Sequence, residues 1–223
     1  MLIALTVICA AATVALIIAE YAHLTTVRVL AKSVASSSFV AIGVEAFHIG
    51  HDPGRVHYGQ VIFIGLVFGA IGDLALLGKS SRAFLAGLGA FLIGHLAYVV
   101  AVTYLVSVGS WISGAGVLAA VPVVAGGIAL ALLWPRLGSM RGPVIAYVLA
   151  IVTMVIAAIA VWRTDSLPEP QRTRLVLGAS LFFISDLAVA RDKFVAQSWV
   201  NKLWGLPAYF AGQLLIAWSL IGL

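Results

Sequence analysis

Apolar stretches of about 20 residues, the length that crosses a bilayer core of about 30 Å, recur along the whole chain. Short polar breaks separate them, among them HIGHDPGRVH, GKSSR, WPRLGSMRGP, RTDSLPEPQR and RDKFVAQSWVNK. The pattern predicts eight transmembrane helices, at residues 2–20, 27–47, 58–78, 83–106, 114–134, 143–162, 173–190 and 202–221. We therefore expect an all-α fold, a polytopic helical bundle, with residues 1–223 forming a single integral membrane domain.

Composition supports a membrane protein and argues against other classes. Hydrophobic residues make up 63% of the 223 positions and charged residues only 9%, whereas soluble domains have about 25% charged residues. The formal net charge is +5, but the basic residues lie in the short loops between spans, so nucleic acid is not an expected partner. The single cysteine, Cys9, excludes an intrachain disulfide.

The basic residues are distributed unequally between the two sets of loops. The loops after spans one, three, five and seven contain Arg28, Lys79, Arg82, Arg136, Arg141, Arg191, Lys193 and Lys202. The opposite loops contain Arg55, Arg163, Arg172 and Arg174. The positive-inside rule then predicts a multi-pass protein of the cell membrane with both termini outside the cytoplasm.

Three ionisable residues inside the predicted spans are expected to lie near the same, basic side of the membrane. Asp73 is near the end of span three, Asp186 is near the end of span seven, and Lys32 is early in span two. Small residues share a helical face with Asp73, which indicates that this aspartate faces neighbouring helices rather than lipid. Intramembrane charges are costly and are usually functional.

Two buried carboxyl groups beside one lysine suggest acid–base chemistry. Desolvation and mutual repulsion favour a neutral form of one aspartate, which could donate a proton. A cation such as Lys32 could keep the other aspartate ionised. The alternative is a purely structural Lys–Asp bridge that holds three helices together.

Other polar residues could line the same site. His95 and Tyr98 share one face of span four, and Tyr209 and Gln213 are one turn apart in span eight. For all four, the alternative is a structural role, in which their hydrogen bonds hold helices together.

No motif for metal or nucleotide chemistry was found. His48, His51, Asp52 and His57 match no established ligand spacing, so we expect a solvated loop and no metal site. The chain also lacks the sequence signatures of serine hydrolases, zinc peptidases and phosphate-binding loops.

Several stretches resemble the YhhN family of eight-span membrane proteins, whose characterised members are lysoplasmalogenases. They are GAIGDLALL, FLAGLGAFLIGHLAY, GASLFFISDLAVARDKF and LPAYFAGQLLIAWS. The resemblance implies hydrolysis of the vinyl ether of a lysoplasmalogen, which yields a fatty aldehyde and glycerophosphoethanolamine or glycerophosphocholine. The implied partners are a lysophospholipid substrate and membrane lipid, and no cofactor or metal is required.

Vinyl ether hydrolysis fits the predicted carboxyl pair. The reaction needs a proton on the carbon β to oxygen and negative charge near the resulting oxocarbenium ion, which makes Asp73 and Asp186 the catalytic candidates. Lys32 would tune the pair or hold the phosphate, and Lys79, Arg82, Arg191 and Lys193 could assist at the rim. The alternatives are a small proton-coupled transporter and a noncatalytic lipid-binding membrane protein.

Overall fold

The computed structural model describes residues 1–49, 53–78 and 80–222, and within these residues the fold is all-α. The α-helices are α1 (Leu2–Tyr21), α2 (Thr25–Ile49), α3 (Val56–Ala75), α4 (Ser81–Thr103), α5 (Trp111–Ala115), α6 (Ala120–Leu137), α7 (Arg141–Trp162), α8 (Glu169–Phe194) and α9 (Trp199–Trp218). Short 3₁₀ turns connect α4 to α5, α5 to α6 and α6 to α7. Lys79, His51 and Asp52 lie outside the described residues, as does the side chain of His48.

Each segment that the sequence predicts as a span lies largely within helices, but the predicted count of eight spans is not confirmed. By length and composition, six described stretches could cross a membrane: Leu2–Tyr21, Thr25–Ala46, Val56–Ala75, Ser81–Thr103, Val108–Trp162 and Glu169–Phe194. One of the six, Val108–Trp162, is a continuous apolar stretch that contains three helices, α5, α6 and α7. Helix α9, which carries Asn201, Lys202 and Gln213, is not among the six.

Most of the long helices that follow one another in the chain pack as antiparallel hairpins. The closest associations join α8 to α9, α3 to α4 and α1 to α2, while α7 contacts α4, α6 and α8. Helix α9 also packs against α1, α2 and α3, so it connects the first three helices to α8. The α8–α9 approach needs glycine, because a Cβ at Gly178 would lie 2.8 Å from the Gly212 carbonyl oxygen.

Local sequence explains several helix ends. The Ser80 hydroxyl accepts a hydrogen bond from the Ala83 amide at 3.1 Å and caps α4. Ser198 caps α9 in the same way. Helix α6 ends at Gly138, whose φ of +51° suits glycine.

The outward faces of the bundle are apolar. Large side chains such as Val121, Ile128 and Leu132 on α6 and Ile3 on α1 are well exposed. Apolar surface of this extent on long helices requires lipid rather than water around it. The chain is thus a multi-pass membrane protein.

Because the hairpins are antiparallel, the helix ends fall into two sets. One set, here called the site end, comprises the C-terminal ends of α1, α3, α6 and α8 and the N-terminal ends of α2, α4, α7 and α9. The loops at this end are those that the sequence shows to be richer in Lys and Arg.

Candidate active site

A cavity of about 800 Å³ lies within the site end of the bundle. Its walls come from α1, α2, α3, α4, α6, α7, α8 and α9. Asp73, Asp186, Lys32 and Tyr209 all line it. The two aspartates therefore line one cavity although 113 positions of sequence separate them.

Asp73 is ion-paired and almost fully buried. Its Oδ1 lies 3.2 Å from Lys32 Nζ, and 3% of its side chain is exposed. The Ser36 hydroxyl donates to Asp73 Oδ2 at 2.6 Å. Ser36 follows Lys32 by one turn of α2, so a single face of this helix supplies both partners. A lysine and a donating hydroxyl are partners that stabilise an ionised carboxylate.

Asp186 has different surroundings. It lies on α8, 16% of its side chain is exposed to the cavity, and Oδ2 has no hydrogen-bond partner among the described residues. His95 Nε2 is 3.6 Å away, which is too long for a hydrogen bond. The Tyr147 hydroxyl on α7 faces the carboxyl group and interacts with it. Neither His95 nor Tyr147 carries a fixed positive charge, so these two neighbours do not give Asp186 the compensation that Asp73 receives from Lys32.

His95 lies behind Asp186 in a setting of aromatic rings. Its imidazole is fully buried, and neither ring nitrogen has a hydrogen-bond partner among the described residues. The ring meets Phe182 and Tyr147 edge to face, at centroid distances of 4.5 and 5.0 Å. An imidazole surrounded by apolar rings favours its neutral form.

Tyr209 connects Asp73 to a chain of polar groups deeper in the bundle. Its hydroxyl donates to the Gly69 carbonyl at 3.2 Å and interacts with the Asp73 carboxylate. The Gln213 amide nitrogen donates to the Tyr209 hydroxyl at 3.3 Å, and Gln213 Oε1 accepts from Tyr98 at 2.7 Å. Gly69 allows this approach, because a Cβ there would overlap the Gln213 amide nitrogen. Tyr209 lines the cavity, whereas Gly69, Gln213 and Tyr98 are not among its described lining residues.

The mouth of the cavity carries charges of both signs. Lys193 lies 4.5 Å above the Phe84 ring, and Lys202 Nζ is 2.8 Å from Asp192 Oδ2. Arg28 donates to the Leu77 carbonyl at 3.0 Å and also lines the mouth. The mouth is therefore suited to a zwitterionic or anionic group.

The rim residues expected from the sequence are only partly at the mouth. Lys193 lines the cavity, whereas Arg82 and Arg191 are not among its described lining residues. Arg191 donates instead to Asn201 Oδ1 at 2.5 Å.

Comparison with known proteins gives the family. The YhhN family profile matches residues 27–220, which is most of the chain. The chain belongs to the YhhN family.

Relatives of this YhhN chain include named enzymes. Bovine lysoplasmalogenase TMEM86A is 33% identical over 170 residues, covering 72% of this chain and 65% of that protein. Human lysoplasmalogenase TMEM86A is 32% identical over 167 residues, with the same coverage. The matched part is thus slightly less than two thirds of these two relatives.

A bacterial relative carries no assigned activity. The uncharacterized membrane protein YhhN of Escherichia coli O157:H7 is 29% identical over 160 residues, covering 72% of this chain and 74% of that protein. No solved structure matches the chain.

Two residues of this YhhN-family site were missed by the sequence analysis. Ser36 could have been predicted from the sequence, because it lies one turn from Lys32 on the same helical face. Tyr147 could not have been predicted, because it lies in the apolar run of α7 and reaches Asp186 only through the packing of α7 on α8.

Proposed function

We propose that this protein is a lysoplasmalogenase, which hydrolyses the vinyl ether bond of lysoplasmalogens to a fatty aldehyde and a glycerophospho-alcohol. The proposal is supported by the similarity to proteins named lysoplasmalogenase. The observation that carries it is one cavity lined by two carboxyl groups: Asp73 pairs with Lys32, whereas Asp186 has no lysine partner within the part of the chain that the structure describes. This inequality suits acid catalysis, which needs one neutral acid and one negative charge.

Asp186 is the proposed general acid. With no cation beside it among residues 1–49, 53–78 and 80–222, and with Tyr147 and His95 as neighbours, its uncharged carboxylic acid is the favoured form. It donates its proton to the vinyl carbon β to the ether oxygen. The new C–H bond uses the π electrons of the double bond, and the positive charge is left on an oxocarbenium ion.

Water completes the reaction and restores the acid. The oxygen of a water molecule bonds to the carbon of the oxocarbenium ion, and the proton it loses passes to the Asp186 carboxylate. The resulting hemiacetal then breaks its C–O bond to the glycerol oxygen: the protonated Asp186 gives its proton to the leaving glycerol oxygen, the hemiacetal hydroxyl forms the C=O bond, and the proton that this hydroxyl loses returns the acid to its starting form. The products are a fatty aldehyde and an alcohol. The net change consumes only water and requires no metal or cofactor.

Asp73 is the proposed source of negative charge. Lys32 and Ser36 keep it ionised and oriented, and Tyr209 holds it from the side of α9. A preorganised carboxylate lowers the free energy of the oxocarbenium ion without having to reorient during the reaction. His95, Tyr98 and Gln213 are proposed to shape the site from behind, through packing around Asp186 and through the hydrogen bonds of Tyr209.

The membrane arrangement belongs to the same proposal. We propose eight spans, with α6, α7 and α9 each crossing the bilayer, and residues 1–223 as one domain. Antiparallel contact between α6 and α7 supports two crossings within Val108–Trp162. We also propose that this membrane is the cell membrane. The charge bias of the loops favours both termini outside and the site end toward the cytoplasm.

The test is aldehyde release by the purified protein in detergent. Lysoplasmalogen should release aldehyde, whereas the alkyl ether analogue should not, because it has no double bond to protonate. Asp73→Asn and Asp186→Asn should each lower kcat by about 100-fold or more. Asp165→Asn is the matched control, because the same substitution is made at a fully exposed position at the opposite end of the bundle.

Two outcomes would count against the proposal. Full turnover in both aspartate variants would exclude the carboxyl mechanism. No aldehyde from the wild-type protein would favour the proton-coupled transporter or the noncatalytic lipid-binding protein, since both can also use intramembrane carboxyl groups.

A further inference from the structure

One part of the cavity is lined by apolar residues from three helices and has no part in the mechanism above. This region, here called the apolar arm, lies between α6, α7 and α8. Its residues are Gly126, Ala129, Leu133, Val148, Ile151 and Phe183.

The spacing of these residues shows that each helix presents one continuous face to the arm. On α6 the lining positions are Gly126, Ala129 and Leu133, which recur at intervals of three and four residues. Tyr147 lies on the α7 face beside Val148, and Asp186 follows Phe183 by one turn of α8. The apolar arm therefore leads directly to the proposed acid.

The depth of the arm matches one lipid chain. Gly126 precedes the end of α6 at Leu137 by 11 residues, which is about 16 Å along the helix. Half of a bilayer core is about 15 Å. The arm thus extends from the site end to about the middle of the membrane.

The deep end of the arm is closed by helix contact. A Cβ at Gly126 would lie 2.8 Å from a Val152 methyl group and 3.2 Å from a Val148 methyl group, so α6 and α7 touch there. Ala129, about one turn nearer the site end, lines the cavity with a small side chain and is only half-buried. A larger side chain at this position would fill the arm just above its closed end.

We propose that the apolar arm binds the single alkenyl chain of the substrate and that Ala129 sets the chain length accepted. This inference rests on the proposed function. The occupant follows from continuity: charged groups at the mouth suit a phosphate headgroup, Asp186 lies between, and the apolar arm lies beyond. One molecule with a charged head, a vinyl ether and one apolar chain meets all three regions.

The first experiment measures binding and does not depend on catalysis. Medium-chain and long-chain alkyl ether lysophospholipids, which lack the vinyl group, are titrated against wild-type protein, Ala129→Phe and Ala129→Leu in detergent. We expect Ala129→Phe to lower the affinity ratio of long to medium chains by about 10-fold or more, and Ala129→Leu to lower it less. Ala131→Phe is the matched control, because Ala131 lies two residues along α6 and is exposed.

The second experiment repeats the comparison with kcat/KM for vinyl ether substrates of the same two lengths. A ratio taken within one variant is not changed by partial unfolding, because inactive protein lowers both values equally. The inference is overturned if Ala129→Phe weakens both lengths equally, or if Ala131→Phe changes the ratio as much. If the binding ratio shifts as expected but wild-type protein releases no aldehyde, the proposed function fails and the chain-binding arm stands.

Discussion

Replacing Lys32 with methionine removes the cation beside Asp73 while keeping a side chain of similar length. The two charged atoms are 3.2 Å apart, and only 11% and 3% of the two side chains are exposed, so solvent screens the pair little. With an effective dielectric constant of about 20, Coulomb's law gives an attraction of about 5 kcal/mol. Removal of one partner from a buried ion pair typically costs about 3–5 kcal/mol. We therefore expect Lys32→Met to lower the free energy of unfolding by about 3–5 kcal/mol.

A second substitution separates the structural role of the pair from its chemical role. Lys32→Met combined with Asp73→Asn leaves no unpaired buried charge, and the Ser36 hydroxyl can still donate to the amide oxygen of an asparagine at position 73. We expect the double variant to recover most of the lost stability. Its aldehyde release should remain as low as that of Asp73→Asn, because the negative charge is still absent.

Both properties are measured on the same preparations in detergent, by thermal unfolding and by aldehyde release. Lys202→Met is the matched control, since its partner is Asp192 and 33% of its side chain is exposed; such a pair contributes about 1 kcal/mol or less. Wild-type stability in Lys32→Met would refute the calculated attraction. Restored turnover in the double variant would show that the charge of Asp73 is not needed for the reaction.

Two further substitutions test the surroundings of the carboxyl pair. Tyr147→Phe removes the hydroxyl that faces the proposed acid. We expect kcat/KM to fall measurably, by up to about 10-fold, with an unchanged melting temperature. An unchanged kcat/KM would contradict the positioning role of this hydroxyl. Gly69→Ala places a methyl group on the Gln213 amide, so it should destabilise the protein by about 1–3 kcal/mol. Gly127→Ala, where a Cβ meets nothing within 4 Å, is its control and should not destabilise the protein in the same unfolding assay.

The hydrophobic pattern predicted most of the helices well because most of the long apolar runs coincide with one helix. The largest difference lies near residues 114–134, where the structure has α5 at Trp111–Ala115, a turn, and α6 at Ala120–Leu137. Gly116 in this turn has a φ of +59°, a conformation that few other residues adopt. Hydropathy does not detect such a break, since glycine and alanine continue the apolar run without a polar residue.

The candidate site was predictable in part. The interior position of Asp73 follows from the small residues on its helical face, and Lys32 was expected nearby because its span begins where span three ends. Which of the two aspartates pairs with Lys32 was not predictable from the sequence. Whether Lys32 pairs with Asp73 or with Asp186 depends on which helices are neighbours, and α2 packs against α3 and α9. For the same reason, the sequence alone did not indicate that Tyr147 lies beside Asp186.

The packing at the other end of the bundle, opposite the site end, helps to distinguish an enzyme from a carrier. A carrier must open its binding site alternately to both sides of the membrane, whereas a hydrolase needs a single opening for substrate and products. At that end Tyr58 and Leu220 are fully buried, Tyr58 lies 3.5 Å from the Ser219 hydroxyl, and Gln171 donates to the Ile221 carbonyl at 2.8 Å. Opening this end would expose these groups and break contacts between α3, α8 and the C-terminal end of α9. The described residues that line the cavity lie toward the site end, an arrangement that favours the enzyme.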